Sequence, residues 1–254
     1  MSITTTKKGR KTYYTNSEGL LAERVTSIIG QLDKPALIWW GIDCALDKVE
    51  ELLDTLNGKP DSAFIERMRR MARVARFKVS KTALDVGSTV HSIAEGIIKG
   101  EDIDISSYGE QVRNGAQSFI DWYGESAIEP LYIEEPILYK EDIEGIGVRG
   151  FGGRPDLICM DGGKVAIYDW KTSKGFYEPS MPLQLGAYKL AANQLRDNGE
   201  LEELPEPISN GAIGRMDKLT GEFELKEYTA EELDKYGQAF LELFRYNAKI
   251  KEAK

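Results

Sequence analysis

The chain has 254 residues, 41% hydrophobic and 30% charged, enough for a sizeable core, and no apolar run approaches the roughly 20 residues that a membrane helix needs. Its two cysteines, Cys44 and Cys159, exclude a four-cysteine zinc or iron–sulfur site within one chain and any disulfide framework. The net charge of −9 argues against broad coating of nucleic acid but leaves room for a local basic groove, and the polar N-terminus, without an apolar h-region, predicts a cytoplasmic protein.

In chain order, residues 1–16 read as a polar arm, and 25–32 as a short apolar piece. Pro35 opens a predicted helix to about 56, with Asp33 placed to cap it. The spacing of Phe64, Met68, Met71 and Val74 or Ala75 predicts a helix over 61–81. Its other faces carry Arg67, Arg69, Arg70, Arg73, Arg76, Lys78 and Lys81 against the single acid Glu66, which points to phosphate contact by Arg70 and Arg73. Further helices are predicted over 88–98, capped by Ser88 or Thr89, and 107–125. The pattern then changes to strands over 131–139, 147–160 and 164–169. A helix over 182–196, a hairpin from 211–216 and 222–228, and a closing helix over 229–248 complete the chain.

This order predicts an α/β fold: a mixed central sheet with a helical N-terminal half packed on it. After the arm, residues 17–254 read as one domain, mainly helical over 17–128 and sheet-containing over 129–254.

The strongest chemical signal lies in 152–172. Two apolar runs flank Asp161-Gly162-Gly163, a two-strand hairpin signature. Folding it about that turn brings Asp156 opposite, or one place from, Asp169. The period of two puts Asp169 and Lys171 on one face. Two carboxylates and an ammonium at the open end of a hairpin, behind apolar runs, suit Mg2+ or Mn2+ and a reacting phosphate. Buried acids are costly unless paired or bound to metal, which weighs against a merely solvated strand end.

Other residues are weaker singly. Gln184 and Tyr188 are an i, i+4 pair, with Gly186 between them permitting close backbone approach. His91, the only histidine, shares a helix face with Glu95. Of Glu134 and Glu135, one points to the sheet face that would put an acid beside Asp156. The glycines at 145, 147, 150, 152 and 153 do not read as a phosphate loop. No Gly-Lys-Ser/Thr follows and they lead into a strand, so close approach and bending are their expected roles.

Together, Gly87-Ser88-Thr89-Val90-His91, Glu134, Gly153-Arg154-Pro155-Asp156, Asp169-Trp170-Lys171-Thr172-Ser173 and Gln184-Leu185-Gly186-Ala187-Tyr188 resemble the PD-(D/E)XK nuclease superfamily in its RecB-like branch. The resemblance spans roughly 86–192 and looks most like the mitochondrial genome-maintenance exonuclease and phage-encoded exonucleases.

That resemblance implies a metal-dependent DNA exonuclease acting on single-stranded ends in replication, recombination or repair. It implies Asp156, Asp169 and His91 as ligands of Mg2+ or Mn2+ and Lys171 as the residue that orients water and stabilises the phosphate. Glu134 is implied as the first-motif acid, and Gln184 and Tyr188 as residues positioning the strand. A flap endonuclease, or a nuclease subunit working with a helicase or recombinase partner, is the alternative, since the chain has no ATPase motif.

Overall fold

A computed structural model describes residues 3–9, 11–32 and 35–253. The chain divides into two compact units, one formed by 1–31 with 90–254 and the other by 32–89. Asp33, the expected helix cap, lies outside the described residues. Among those residues no helix is long and apolar enough to cross a membrane.

The smaller unit is helical. α1 (Val25–Ile29) belongs to the larger unit; the smaller holds α2 (Pro35–Asp54) and the first part of α3 (Ser62–Ile98), and Arg70 and Arg73 are exposed on the latter. One helix therefore replaces the two expected over 61–81 and 88–98. Gly87, just before the expected cap, sits inside it at a cost of about 1 kcal/mol relative to Ala, which a long run of good helix formers offsets. Ser88 and Thr89 are accordingly interior rather than capping residues, and the Thr89 hydroxyl donates to the Asp85 carbonyl at 2.9 Å.

The larger unit contains two five-stranded mixed sheets. The first runs β1 (Thr4–Lys8), β2 (Lys11–Thr15), β3 (Leu21–Arg24), β6 (Gly147–Gly153), β5 (Ile137–Ile143). The second runs β10 (Phe223–Tyr228), β9 (Asn210–Met216), β8 (Lys164–Lys171), β7 (Leu157–Asp161), β4 (Glu129–Ile133). The α/β class with mixed pairing is as read from sequence, but the strands form two sheets rather than one. The apolar stretches 131–139 and 147–160 each split in two, at Glu134–Pro136 and at Arg154–Asp156. Pro136 and Pro155 lack the N–H a ladder needs.

Residues 4–15, expected as an arm, form the β1–β2 hairpin with Thr5 opposite Tyr14 and Lys7 opposite Thr12. Every β1 residue is exposed, so the strand lacks the apolar alternation that marks strands in sequence. Its neighbour β3 pairs parallel to β6, with Glu23 beside Phe151 and Arg24 beside Gly152. A pairing across more than a hundred residues leaves no local trace.

β8 alternates as its sequence dictates. Tyr168 and Trp170 face α4 (Glu110–Glu125), where the fully buried Trp170 ring meets Phe119 at 5.1 Å and Trp122 at 5.3 Å between centroids. Edge-on contacts of this kind add about 0.5–1.5 kcal/mol each beyond burial. Asp169 and Lys171 face the other way, toward α5 (Ser180–Asp197). α5 crosses α6 (Ala230–Glu252) at two glycines, where a Cβ on Gly186 would lie 2.4 Å from the Gly237 backbone nitrogen. α6 begins in a capping box, with Thr229 and Glu232 satisfying each other's backbone N–H groups.

Candidate active site

The β7–β8 hairpin turns through Gly162 and Gly163, both with positive φ, as a two-residue primed turn requires. Its register pairs Leu157 with Tyr168, so one step beyond, at the open end, Asp156 stands opposite Asp169. The Asp156 Oδ2 accepts the main-chain N–H of Trp170 at 2.5 Å, which pins that carboxylate across the two strands. Its Oδ1 lies 3.0 Å from Nδ1 of His91, delivered by the last part of α3. The Asp156 carbonyl accepts the Glu134 N–H at 3.2 Å.

Glu134 occupies the break between β4 and β5 with a φ of 52°, uncommon for a residue with a side chain. That conformation settles which acid turns inward. Glu134 faces the cavity, and Glu135 is exposed. Ligand atoms of His91, Glu134 and Asp156 all lie within 4.8 Å of one another.

On the α5 side, both ends of the Gln184 amide are engaged. Its Nε2 donates to Asp169 Oδ1 and to the Tyr188 hydroxyl, both at 2.9 Å, and its Oε1 accepts from Lys171 Nζ at 3.3 Å. Lys171 Nζ also pairs with Asp169 Oδ2. Tyr188 fits because residue 153 is glycine, where a Cβ would lie 2.1 Å from the Tyr188 ring.

These groups line a cavity of about 430 Å3. Asp156 and Asp169 are 7% and 3% exposed, so their charges interact with little solvent between them. Burial pushes Glu134 up to about 8, helped by its hydrogen bond to Asp156 and by that residue's charge. Burial likewise raises Asp169 to about 6, with Lys171 opposing and Asp156 adding to the rise. Burial works against charge on both members of the His91–Asp156 pair, yet each is held toward its charged form by the other. The imidazole therefore lies above its ordinary value and the carboxyl below.

The donor set fits a divalent cation. Hard carboxylate oxygens from Glu134 and Asp156, with one imidazole, converge where the crowding of negative groups already costs ionisation. Asp169, opposite Asp156, is not one of these three; its carboxylate oxygens are engaged by Gln184 and Lys171.

The structure thus gathers His91, Glu134, Asp156, Asp169, Lys171, Gln184 and Tyr188 on one cavity. Arg70 and Arg73 belong to the 32–89 unit. The cavity also takes residues that the sequence did not single out: Thr5, Thr12, Tyr14, Arg24, Thr26 and Arg154. Arg154 stood next to a noted acid. The others arrive through the β1–β2 hairpin and the parallel β3–β6 pairing, which carry no sequence signal of their own.

No curated protein is significantly similar in sequence. A solved structure, the crystal structure of SSO0001, is 16% identical over 79% of this chain and 84% of that one, with a TM-score of 0.36. The sequence profile of the PD-(D/E)XK nuclease superfamily matches residues 60–253, a span that holds all seven of the gathered residues. The chain belongs to that superfamily, whose members are nucleases that use divalent metals, typically Mg2+ or Mn2+.

Proposed function

We propose that this nuclease is a Mg2+- or Mn2+-dependent exonuclease that hydrolyses single-stranded DNA from its ends, in replication, recombination or repair. The observation that carries this reading is the convergence of Asp156, Asp169, Lys171, Glu134 and His91 on one cavity of about 430 Å3. Such a volume is on the scale of a small-ligand pocket. It suits the end of one strand rather than the flank of a duplex.

His91, Glu134, Asp156 and Asp169 would hold the metal, which when bound supplies charge neutralisation at the phosphate and lowers the pKa of water. The protein's own residues do the rest. Asp156 is fixed by the Trp170 N–H and cannot swing away from the site. Lys171, anchored by Asp169 and Gln184, presents its ammonium to the phosphate, where it offsets the charge that grows as water attacks and the 3′-oxygen leaves. Gln184 holds Asp169, Lys171 and Tyr188 in one arrangement, so all three move together or not at all. Tyr188, buried and with its phenol pushed up by that burial, stays a neutral donor.

The test is end-labelled single-stranded DNA, linear beside closed circular, with Mg2+ or Mn2+. Progressive shortening of linear strands while circles survive is the expected result. Cutting of circles would replace the exonuclease with an endonuclease. Inactivity on both, restored by a helicase or recombinase partner, would make the chain a dependent subunit.

A further inference from the structure

The cavity has two walls of opposite chemistry. One carries the acids, His91 and Lys171. The other is built from the first sheet and carries Arg24, Arg154, Tyr14, Thr5 and Thr12. Register explains the second wall. Thr5 is opposite Tyr14, Tyr14 is opposite Ala22, and alternate residues share a face, so Thr5, Thr12, Tyr14 and Arg24 project from the same side. Arg24 stands beside Gly152, two residues before Arg154.

Both guanidiniums lack the partners that arginines elsewhere in this unit have. Arg149, Arg196, Arg215 and Arg245 each bind a carboxylate, and Arg113 binds a carbonyl. Arg24 makes no side-chain hydrogen bond or ion pair among the described residues. Among the described residues Arg154 pairs only with Glu134, at 3.9 Å. Five donors in a planar fork match phosphate oxygens, and a fork left free beside a cavity is placed to receive them. Tyr14 adds a hydroxyl. Burial raises its pKa against the opposing pull of Arg154 and Arg24, so the phenol keeps its proton.

We infer that Arg24 and Arg154, with the Tyr14 hydroxyl, form a second phosphate subsite that holds the strand by a phosphate next to the one being cleaved. This rests on the nuclease reading of the cavity. The phosphate is either a terminal monoester or an internal diester, two sources of one chemistry. The N-terminal hairpin then grips the strand, while the hairpin of β7 and β8 supplies the site of cleavage.

The test is binding without turnover. Fluorescence anisotropy of labelled single strands in EDTA compares wild type, Arg24→Lys and Arg24→Ala at several salt concentrations. The strands carry a 5′-phosphate, a 3′-phosphate or hydroxyls at both ends. Arg24 is the cleaner position because it has no hydrogen-bond or ion-pair partner to lose among the described residues. Arg24→Ala is expected to raise Kd about tenfold and to lower the salt slope by about 0.7, one phosphate contact on a single strand. Arg24→Lys is expected to fall between, and the thermal melts of all three should coincide.

Weakening confined to one phosphorylated end assigns a terminal phosphate; equal weakening on all strands assigns an internal one. Unchanged Kd and slope in Arg24→Ala would overturn the subsite, as would a wild type that binds none of the strands. Failure of the nuclease reading registers separately, as a wild type that leaves linear strands intact in Mg2+ and Mn2+.

Discussion

Glu134 and Asp156 are joined twice, by the Glu134 N–H on the Asp156 carbonyl at 3.2 Å and by the approach of their carboxyl groups. Burial, reinforced by the second contact, holds the Glu134 proton on to about pH 8, well above its ordinary 4.5. A carboxyl raised in the folded state favours folding below its unfolded value and loses that contribution as pH rises through the folded one. The melting temperature in EDTA should therefore fall between about pH 4.5 and 8, and Glu134→Gln should flatten that fall. Differential scanning calorimetry across that range reads both, and a wild-type melt that does not change over it would refute the coupling.

The same protons must leave when a cation enters. At pH 7 Glu134 holds its proton, so Mn2+ binding should release protons and tighten as pH rises from about 6 to 8. Calorimetric titration of Mn2+ in buffers of different ionisation enthalpy measures the number released. Glu134→Gln should bind Mn2+ more weakly and release fewer.

Gln184 ties α5 to β8. Gln184→Glu replaces the donor on Asp169 with another carboxylate and removes the donor to Tyr188. Loss of a hydrogen bond to a charged group is worth about 1.5–3 kcal/mol, so kcat/KM should fall roughly 10- to 100-fold. Steady-state kinetics on a short labelled strand, with far-UV circular dichroism to show the fold intact, checks this.

Two glycines are fixed by contact, and their substitution separates stability from site geometry. Gly186→Ala drives a methyl into the Gly237 backbone, which has no rotamer to yield, and should cost about 1–3 kcal/mol or more in chemical denaturation. Gly153→Ala meets the Tyr188 ring instead, and should lower activity by displacing Tyr188 and Gln184. Urea melts and activity assays on both variants distinguish the two effects.

Much of this architecture is legible in the chain because its signals are local. Asp161-Gly162-Gly163 between apolar runs gives the β7–β8 hairpin and its register, and that register alone brings Asp156 and Asp169 together. The spacing of Gln184, Gly186 and Tyr188 likewise gives the face that α5 turns to the site and the glycine where α6 crosses. What is illegible is non-local or polar. Thr4–Lys8 is exposed throughout and forms a strand only because β2 pairs with it. β3 finds β6 across the whole helical region, and so Arg24 reaches the cavity with no sequence pattern to announce it. Ser88 and Thr89 look like caps of a new helix, but Gly87 before them and Gly96 beyond are small costs, about 1 kcal/mol each, within a 37-residue helix.

The most direct measurement is the degradation rate of end-labelled linear single-stranded DNA in Mg2+ or Mn2+ by wild type, Lys171→Ala and Asp169→Asn, with an EDTA control. Each substitution removes a group that the proposed mechanism assigns to the reacting phosphate or the cation, so each should lower the rate by at least about 100-fold, and EDTA should abolish it. Wild-type rates in either variant, or undiminished degradation in EDTA, would contradict the assignment of this cavity as the site of cleavage.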